Sequence, residues 1–286
     1  RHRSGLVEIL TRQGSNQAPV FLPARLFSAQ GQSLAFTYRL FNSQHPVLDS
    51  ISDDTQQNDG KRRILFQTAR TANAVVLKLH PFVGADGAPL VTYDMQLKED
   101  DQRVERISVL GEAQGKQVEQ ARWDMMYVRT HGHLCLSRVT TPTGAVEMLS
   151  YADAGHQFPA GSGRPSPLPR VTRHQIEPGA GQPLVDVDYR YPGAHNFIGG
   201  GTSLPWRDDG LDNLYKLADS DTYEYQSVEV WKQEGQEIRS ITRTFNRYHL
   251  LTEVKTLQGN CQQTSATGYT INAVSYTHLR AHETRG

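Results

Sequence analysis

Polar and apolar side chains alternate along most of the chain, and this period of two predicts β-strands rather than helices. Leu34, Phe36 and Tyr38 occupy every second position, and residues 241–245 alternate in a similar way. The apolar clusters are short and end at Gly, Pro, Asn or Asp, which are residues that favour turns. We therefore predict an all-β fold in which repetitive antiparallel β-hairpins form a meander with little helix.

The clearest hairpin is predicted for residues 134–151. Two strand-like segments flank the turn Thr141-Pro142-Thr143-Gly144. Pro142 at the second turn position presets the backbone angle φ, and Gly144 at the fourth position suits the exit from a type I turn. The chain is therefore expected to reverse tightly at this point.

Two stretches interrupt the strand pattern. Residues 158–183 are rich in Gly, Pro and Ser, and they predict an extended surface connection with one short strand near Val171. Gly199-Gly200-Gly201 lacks the Lys and Ser or Thr that follow a phosphate-binding loop. We therefore interpret it as a flexible loop.

Only short helices are expected. Residues 111–120 are polar on all sides and form a weak helical candidate, and residues 211–217 leave room for one or two turns. Asp208 or Asp209 is predicted to cap the second helix, because a carboxylate accepts hydrogen bonds from the N–H groups of a first helical turn.

Aromatic residues end the predicted strands again and again. Several intervals between them fall between 20 and 24 residues, as from 127 to 151, from 225 to 245 and from 245 to 269. A unit of this length is about one hairpin, which cannot bury its apolar face alone and must stack on neighbouring units. The aromatic series is Tyr38, Tyr93, Tyr127, Tyr151, Tyr191, Tyr225, Phe245 and Tyr269.

A distinctive order of residues follows the strand predicted for residues 241–245. Phe245 and Asn246 end the strand, two residues follow, and then come His249 and Leu251. This order resembles the repeat unit of the Rhs/YD-repeat family of bacterial polymorphic toxins, which includes the B and C components of insecticidal toxin complexes. The family unit is a strand ending in Tyr-Asp, two free residues, Gly, one residue and Leu. The sequence departs from it by Phe for Tyr, Asn for Asp and His249 for Gly.

A longer series of motifs carries the same resemblance from about Gly31 to Asn272. Tyr151 and Gly155 belong to a second copy of the unit, in which the Asp is displaced by one position. The order and spacing of the remaining motifs also resemble the shell region of long Rhs-type proteins. The residues predicted to build repeats and turns are Trp123, Tyr127, Pro142, Gly144, Tyr151, Gly155, Asn196, Phe197, Gly199, Asp212, Asn213, Tyr215, Phe245, Asn246 and Leu251.

The resemblance implies that the chain is part of a hollow β-sheet shell. In that family such units coil into a cocoon that encloses a C-terminal cytotoxic segment for delivery. The expected partners are that toxin segment, which this sequence does not contain, and components of a toxin complex or secretion system. The expected localisation is secretion or delivery from a bacterial cell. The Gly/Asp/Pro-rich signature of the family's core, which carries self-cleavage in many members, does not occur here, so neither autoproteolysis nor toxicity is assigned.

The charge balance argues against several other classes of protein. The chain has 30 basic and 30 acidic side chains, so it lacks the positive charge by which proteins bind nucleic acids or anionic membranes. Its apolar runs are far shorter than the roughly 20 residues of a membrane-spanning helix. Cys135 and Cys261 are its only cysteines, too few for a disulfide framework. We therefore expect no nucleic-acid partner and no membrane span.

Candidate chemical motifs are incomplete. His131, His133 and Cys135 would share one face of a strand, but a fourth ligand is not evident and structural zinc sites use four. Residues 208–213 are acidic but lack the alternating oxygen ligands of a calcium loop. Ser162 lacks the strand-turn-helix frame of an activated nucleophile. We predict no catalytic residue, no cofactor and no bound metal, and we interpret the protein as a non-enzyme.

An extracellular β-rich carbohydrate-binding module is the alternative interpretation. The faces of Trp and Tyr rings can stack on sugars, which leaves the sugar hydroxyls for hydrogen bonds. Trp206 and Trp231 are the candidates for this contact. A carbohydrate-binding module predicts saturable binding that is lost when either Trp becomes Ala, whereas a shell predicts no such binding.

The domain prediction separates the body of the chain from its last residues. Residues 1–273 are expected to be part of a shell region in a longer protein, since the sequence opens at Arg1 without an initiator Met. Residues 274–286 resemble the translation of a sequencing adapter, so we predict a non-native tail and exclude it from the fold prediction.

Overall fold

The computed structural model describes residues 4–14, 19–41, 45–53, 63–81, 87–98, 103–163, 166–207, 209–217, 222–270 and 280–285. The chain separates into two compact units, residues 1–124 and 125–286. Regular structure in the described ranges consists of antiparallel strands and one short 3-10 helix. The prediction of an all-β meander is therefore confirmed.

In the first unit each strand pairs with the next one along the chain. Such pairing is the expected outcome for short amphipathic strands joined by tight turns. The strands are β1 (Val7–Gly14), β2 (Pro19–Phe27), β3 (Ser33–Phe41), β4 (His45–Asp53), β5 (Arg63–Arg70), β6 (Ala74–Leu79), β7 (Val91–Leu97), β8 (Val104–Ala113) and the beginning of β9 (Lys116–Thr130).

The second unit continues the same pairing. Its elements are the end of β9, β10 (His133–Thr140), β11 (Val146–Tyr151), β12 (Val171–Glu177), β13 (Val185–Arg190), the 3-10 helix η1 (Asn213–Lys216), β14 (Glu224–Gln233), β15 (Gln236–Asn246), β16 (Leu251–Gln258), β17 (Cys261–Thr270) and β18 (Arg280–Arg285). β18 lies within the residues predicted to be adapter-derived, and that origin stays a prediction.

The helical candidate at residues 111–120 does not form a helix. These residues form the end of β8, a two-residue turn and the start of β9. Gln114 and Gly115 in this turn both have positive φ, of 53° and 75°, the geometry that matches the twist of a two-residue hairpin. A polar strand pair has no apolar alternation, so the sequence Gln114-Gly115 was the only indication of the hairpin.

The predicted hairpin at residues 134–151 is present. Thr140 of β10 pairs with Val146 of β11, and the Gly144 N–H donates to the Thr141 carbonyl across the turn at 3.0 Å. The strand predicted near Val171 is β12, within the otherwise irregular segment 158–183.

Burial follows both faces of the sheet in the second unit. Val230 of β14 is fully buried and lies beside buried Ser240 of β15. Val187 and Ile241 are also buried, and they pair with residues next to Val230 in β14. Neighbouring residues of a strand point to opposite faces. Both faces are therefore partly covered, which explains why apolar alternation in the sequence is imperfect.

No helix within the described ranges is long and apolar enough to cross a lipid bilayer.

Candidate functional site

Several predicted turn residues meet in one part of the second unit. We call this region the turn cluster: the loop of residues 194–207, the segment of residues 209–217 that contains the helix η1 and its cap, and the turn of residues 245–251. Hydrogen bonds from Tyr223 and Tyr225, at the start of β14, tie the three parts together.

Asn246 organises the turn between β15 and β16. Its side-chain Oδ1 accepts hydrogen bonds from the backbone N–H groups of Tyr248 at 2.9 Å and Leu250 at 3.1 Å. An Asn or Asp side chain often satisfies the backbone two residues on in this way. His249 has a φ of 60°, a left-handed conformation that glycine adopts without strain. The turn therefore has a positive φ at the position where the repeat unit of the Rhs/YD-repeat family has Gly.

The His249 imidazole joins the turn to η1. Its Nε2 is bonded to the Asp212 carboxylate, and its Nδ1 lies 2.9 Å from the Tyr225 hydroxyl. A carboxylate accepts, so Nε2 donates to Asp212, and the Tyr225 hydroxyl is bonded to the other ring nitrogen. Burial, assisted by the charge of Asp212, raises the pKa of Tyr225 to about 12. This phenol therefore stays protonated, which suits a structural donor and not a nucleophile.

Asp212 is the N-cap of η1. Its Oδ1 accepts the Leu214 N–H at 2.9 Å. The prediction of Asp208 or Asp209 as the cap is wrong because the helix begins two residues later than expected, at Asn213. Asp208 lies outside the described residues, and Asp209 accepts instead from the Leu211 N–H and from the Lys216 ammonium group at the end of η1.

Asn196 and Tyr223 hold the glycine loop. Oδ1 of the buried Asn196 accepts the N–H groups of Ile198 at 3.0 Å and Gly200 at 2.9 Å, and its Nδ2 donates to the Gln157 carbonyl. The Tyr223 hydroxyl donates to the Asn196 carbonyl at 2.7 Å, and it shares this proton with the Gly200 carbonyl at 3.0 Å. A network whose buried polar groups have partners in this way favours a single conformation of the loop.

Gly199-Gly200-Gly201, interpreted from the sequence as a flexible loop, is closely packed in the structure. A Cβ at Gly200 would lie 2.7 Å from the Gln157 carbonyl and 2.9 Å from the Ala194 carbonyl. Glycine is required here because backbone atoms approach it closely. A run of glycines looks the same in sequence whether it moves or packs, so the buried partners could not be predicted.

Asn213 clamps the chain that precedes η1. Its side-chain amide accepts from the Arg207 N–H and donates to the Arg207 carbonyl, each at 3.1 Å. The adjoining cavity has a volume of 390 Å³ and is lined by Phe197, Trp206, Leu211 and His249, among others. No pattern in the sequence indicated that Arg207 would lie at this cavity.

The Gly155 motif packs around a buried histidine. His156 is 8% exposed, and its ring meets those of Tyr191 and Phe197 edge to face, with centroids 4.8 and 5.1 Å apart. Burial, together with the charge of Arg170, lowers the pKa of His156 to about 4. Gly155 itself has a φ of 60°, and a Cβ there would lie 2.6 Å from the Leu168 carbonyl.

Three tyrosines of the aromatic series make the same contact. Each hydroxyl donates to a backbone carbonyl of the strand before it: Tyr38 to Pro23 at 2.8 Å, Tyr151 to Leu136 at 2.6 Å and Tyr269 to Leu251 at 3.0 Å. A half-buried Tyr packs its ring against the hairpin while its hydroxyl finds an acceptor. The contact recurs in both units.

The remaining predicted residues lie in several places. Phe245 stacks on Tyr225 with centroids 5.2 Å apart, and Tyr215 of η1 lies 5.5 Å from Tyr248. Trp123 pairs with Ile107 in the β8–β9 ladder of the first unit. The turn cluster thus brings together Asn196, Phe197, Gly199, Asp212, Asn213, Tyr215, Phe245, Asn246 and Leu251, whereas Trp123, Tyr127, Pro142, Gly144, Tyr151 and Gly155 belong to other hairpins and turns.

The side chains of His131 and Cys135 make local hydrogen bonds to backbone carbonyls. His131 Nε2 lies 3.1 Å from the Ala152 carbonyl, and the Cys135 thiol donates to the His133 carbonyl at 3.9 Å. Burial raises the pKa of Cys135, which disfavours the thiolate that binds metals. No group of three or more metal-ligating side chains forms among the described residues.

Comparisons with known proteins were made for sequence and structure. No family model and no curated protein matches the chain. The chain is similar in structure to a chain of the Photorhabdus luminescens Tc holotoxin pore, with a TM-score of 0.23 and 11% identity, over 91% of this chain. The aligned region spans 15% of that larger chain. The class established by the fold is an all-β protein built as an antiparallel meander.

Proposed function

We propose that the chain is a non-catalytic wall segment of an Rhs/YD-repeat shell that encloses a C-terminal cytotoxic domain for delivery. The observation that carries the proposal is the turn after Phe245. Asn246 accepts the N–H two residues on, and His249 has positive φ three residues after Asn246. These are the two physical requirements that Asp and Gly meet in a Tyr-Asp-x-x-Gly unit.

The recurrent tyrosine contact supports the same proposal. The Tyr38, Tyr151 and Tyr269 hydroxyls each bind a carbonyl of the preceding strand. Each of these hairpins is therefore stabilised by a hydrogen bond within the hairpin itself. Hairpins stabilised in this way can be added one after another, because each hairpin packs only against the hairpins next to it. An extended wall requires this property.

Both faces of such a wall need mixed side chains, since one meets solvent and the other meets enclosed cargo. In the second unit, Val230 and Ser240 are buried on one face of the sheet. Val187 and Ile241 are buried on the opposite face, because they pair with the neighbours of Val230 in β14. A segment buried on one face alone would alternate more cleanly. Encapsulation would require no catalysis, because a continuous hydrogen-bonded sheet would separate the toxin from the producing cell. Such a sheet would also leave few exposed strand edges at which chains could aggregate.

The proposed partners are the toxin segment inside the shell and components of a toxin complex or secretion system, and the proposed localisation is secreted or delivered. The test begins with the natural reading frame on both sides of the chain. The complete protein is then expressed and treated with protease, with and without mild denaturant. We expect further hairpin repeats and a C-terminal segment that resists cleavage until the shell opens. A frame without repeats, or a C-terminal segment digested at once in the native protein, would contradict the proposal.

A further inference from the structure

The 390 Å³ cavity of the turn cluster has an exposed apolar wall. Phe197 and Leu211 line it and expose 41% and 68% of their surface, and Trp206 lies half-buried beside them. Large apolar side chains gathered around a cavity of this size are typical of ligand sites. Their exposure indicates that these side chains are available for binding.

The wall of this cavity is held in place before any ligand arrives. The Asn213 amide binds both the N–H and the carbonyl of Arg207, each at 3.1 Å. Asp209 accepts the Leu211 N–H at 3.1 Å and also binds the Lys216 ammonium group at 2.9 Å. A site fixed in this way loses little conformational entropy when it binds.

Two polar side chains at the cavity are already hydrogen-bonded to other residues of the turn cluster. Asp212 accepts from Leu214 and from His249, and His249 Nδ1 is bonded to the Tyr225 hydroxyl. Arg207 differs from them. Within the part of the chain that the structure describes, no side chain pairs with its exposed guanidinium group. The hydrogen bonds of Arg207 are made by its backbone N–H and carbonyl. A guanidinium group binds carboxylates through two parallel hydrogen bonds.

We propose that this cavity binds a small apolar ligand that carries a carboxylate. Arg207 would hold the carboxylate, while Phe197, Trp206 and Leu211 pack against the apolar part. A sugar fits less well, because it needs several hydrogen bonds, whereas the wall of the cavity is mainly apolar and both ring nitrogens of His249 are already bonded. The site does not depend on the shell function, since it uses only residues of the turn cluster.

The test uses the full chain and ligand-observed saturation-transfer NMR, which tolerates large assemblies. Phenylacetate is compared with neutral phenylacetamide, and we expect the acid to bind about tenfold more tightly because a charge-assisted pair is worth roughly 1.4 kcal/mol. Arg207→Gln should remove that advantage, and Leu211→Ala should weaken both ligands about threefold. Arg239→Gln, at another exposed arginine, is the matched control and should change nothing.

The source of the carboxylate is tested with the dipeptide Ala-Phe and its C-terminal amide. Tighter binding of the dipeptide than of phenylacetate would identify a peptide C-terminus, and the reverse would identify a free organic acid. Equal affinity for acids and amides, unchanged binding in Arg207→Gln, or tighter binding of a neutral monosaccharide would overturn the proposal.

Discussion

Asp212 accepts a hydrogen bond from His249 across 37 residues of sequence. The contact joins the cap of η1 to a β-turn whose His249 holds a left-handed conformation, with φ of 60°. A histidine at this position therefore combines backbone strain, which costs about 1 kcal/mol for a residue with a Cβ, with two hydrogen bonds that a glycine would not make.

We expect His249→Gly to lower the free energy of unfolding by about 1 to 2 kcal/mol. The relief of strain is outweighed because both the Asp212 and the half-buried Tyr225 hydrogen bonds disappear. Glu234→Gly is the matched control: Glu234 has a φ of 52° in an exposed hairpin turn, and its change should stay within about 0.5 kcal/mol. Urea denaturation measures both. If His249→Gly were as stable as Glu234→Gly, the hydrogen bonds of His249 to Asp212 and Tyr225 would not contribute to stability.

Acid should destabilise the second unit through His156. Its pKa of about 4 in the folded chain lies below the value of about 6.5 in an unfolded chain. The unfolded state therefore takes up the proton first, so stability is full above about pH 6.5 and falls as the pH drops toward 4. The loss attributable to this group reaches about 3 kcal/mol.

The pH prediction is checked by urea midpoints between pH 7.5 and 4 for the natural chain and for His156→Phe. Carboxyl groups titrate in both proteins, so the difference between their pH profiles isolates the histidine. We expect the Phe variant to lose less stability in acid. Parallel profiles would show that protonation of His156 is not coupled to unfolding.

The recurrent tyrosine contact should be worth a similar amount in each hairpin. Tyr38→Phe, Tyr151→Phe and Tyr269→Phe each remove one hydroxyl and leave a backbone carbonyl without that donor, so each should cost about 1 kcal/mol. Tyr93→Phe is the control because Tyr93 is 39% exposed, and its effect should be near zero. Equal effects at all four positions would mean that the hydroxyl contacts do not stabilise the hairpins.

Much of the fold follows from local patterns in the sequence. The alternation at residues 34–38 and the Pro142 to Gly144 turn correctly predicted strands and a hairpin, because period and turn chemistry are local properties. Residues 111–120 were misassigned because a polar hairpin has no hydrophobic period. The Gln114-Gly115 step was the only available signal.

The turn cluster was predictable in part. Asn196, Asp212 and Asn246 were chosen as turn residues, and each accepts the backbone N–H two residues on. Their association was not predictable, because it depends on Tyr223 and Tyr225 reaching across 27 and 24 residues of sequence. Periodicity and turn propensity carry no information about such distant partners.

Gly200→Ala should strongly destabilise the loop of Gly199-Gly200-Gly201. The new Cβ would lie 2.7 Å from the Gln157 carbonyl, and relief of that overlap requires breaking the Asn196 and Tyr223 network, at a cost of about 2 to 4 kcal/mol. Gly268→Ala is the matched control, since a Cβ there meets nothing within 4 Å. Urea midpoints compare the two variants, and hydrogen exchange at the Gly200 amide reports on the loop. Equal stability with rapid exchange in the natural chain would show that the loop is mobile and that its packing carries no energy.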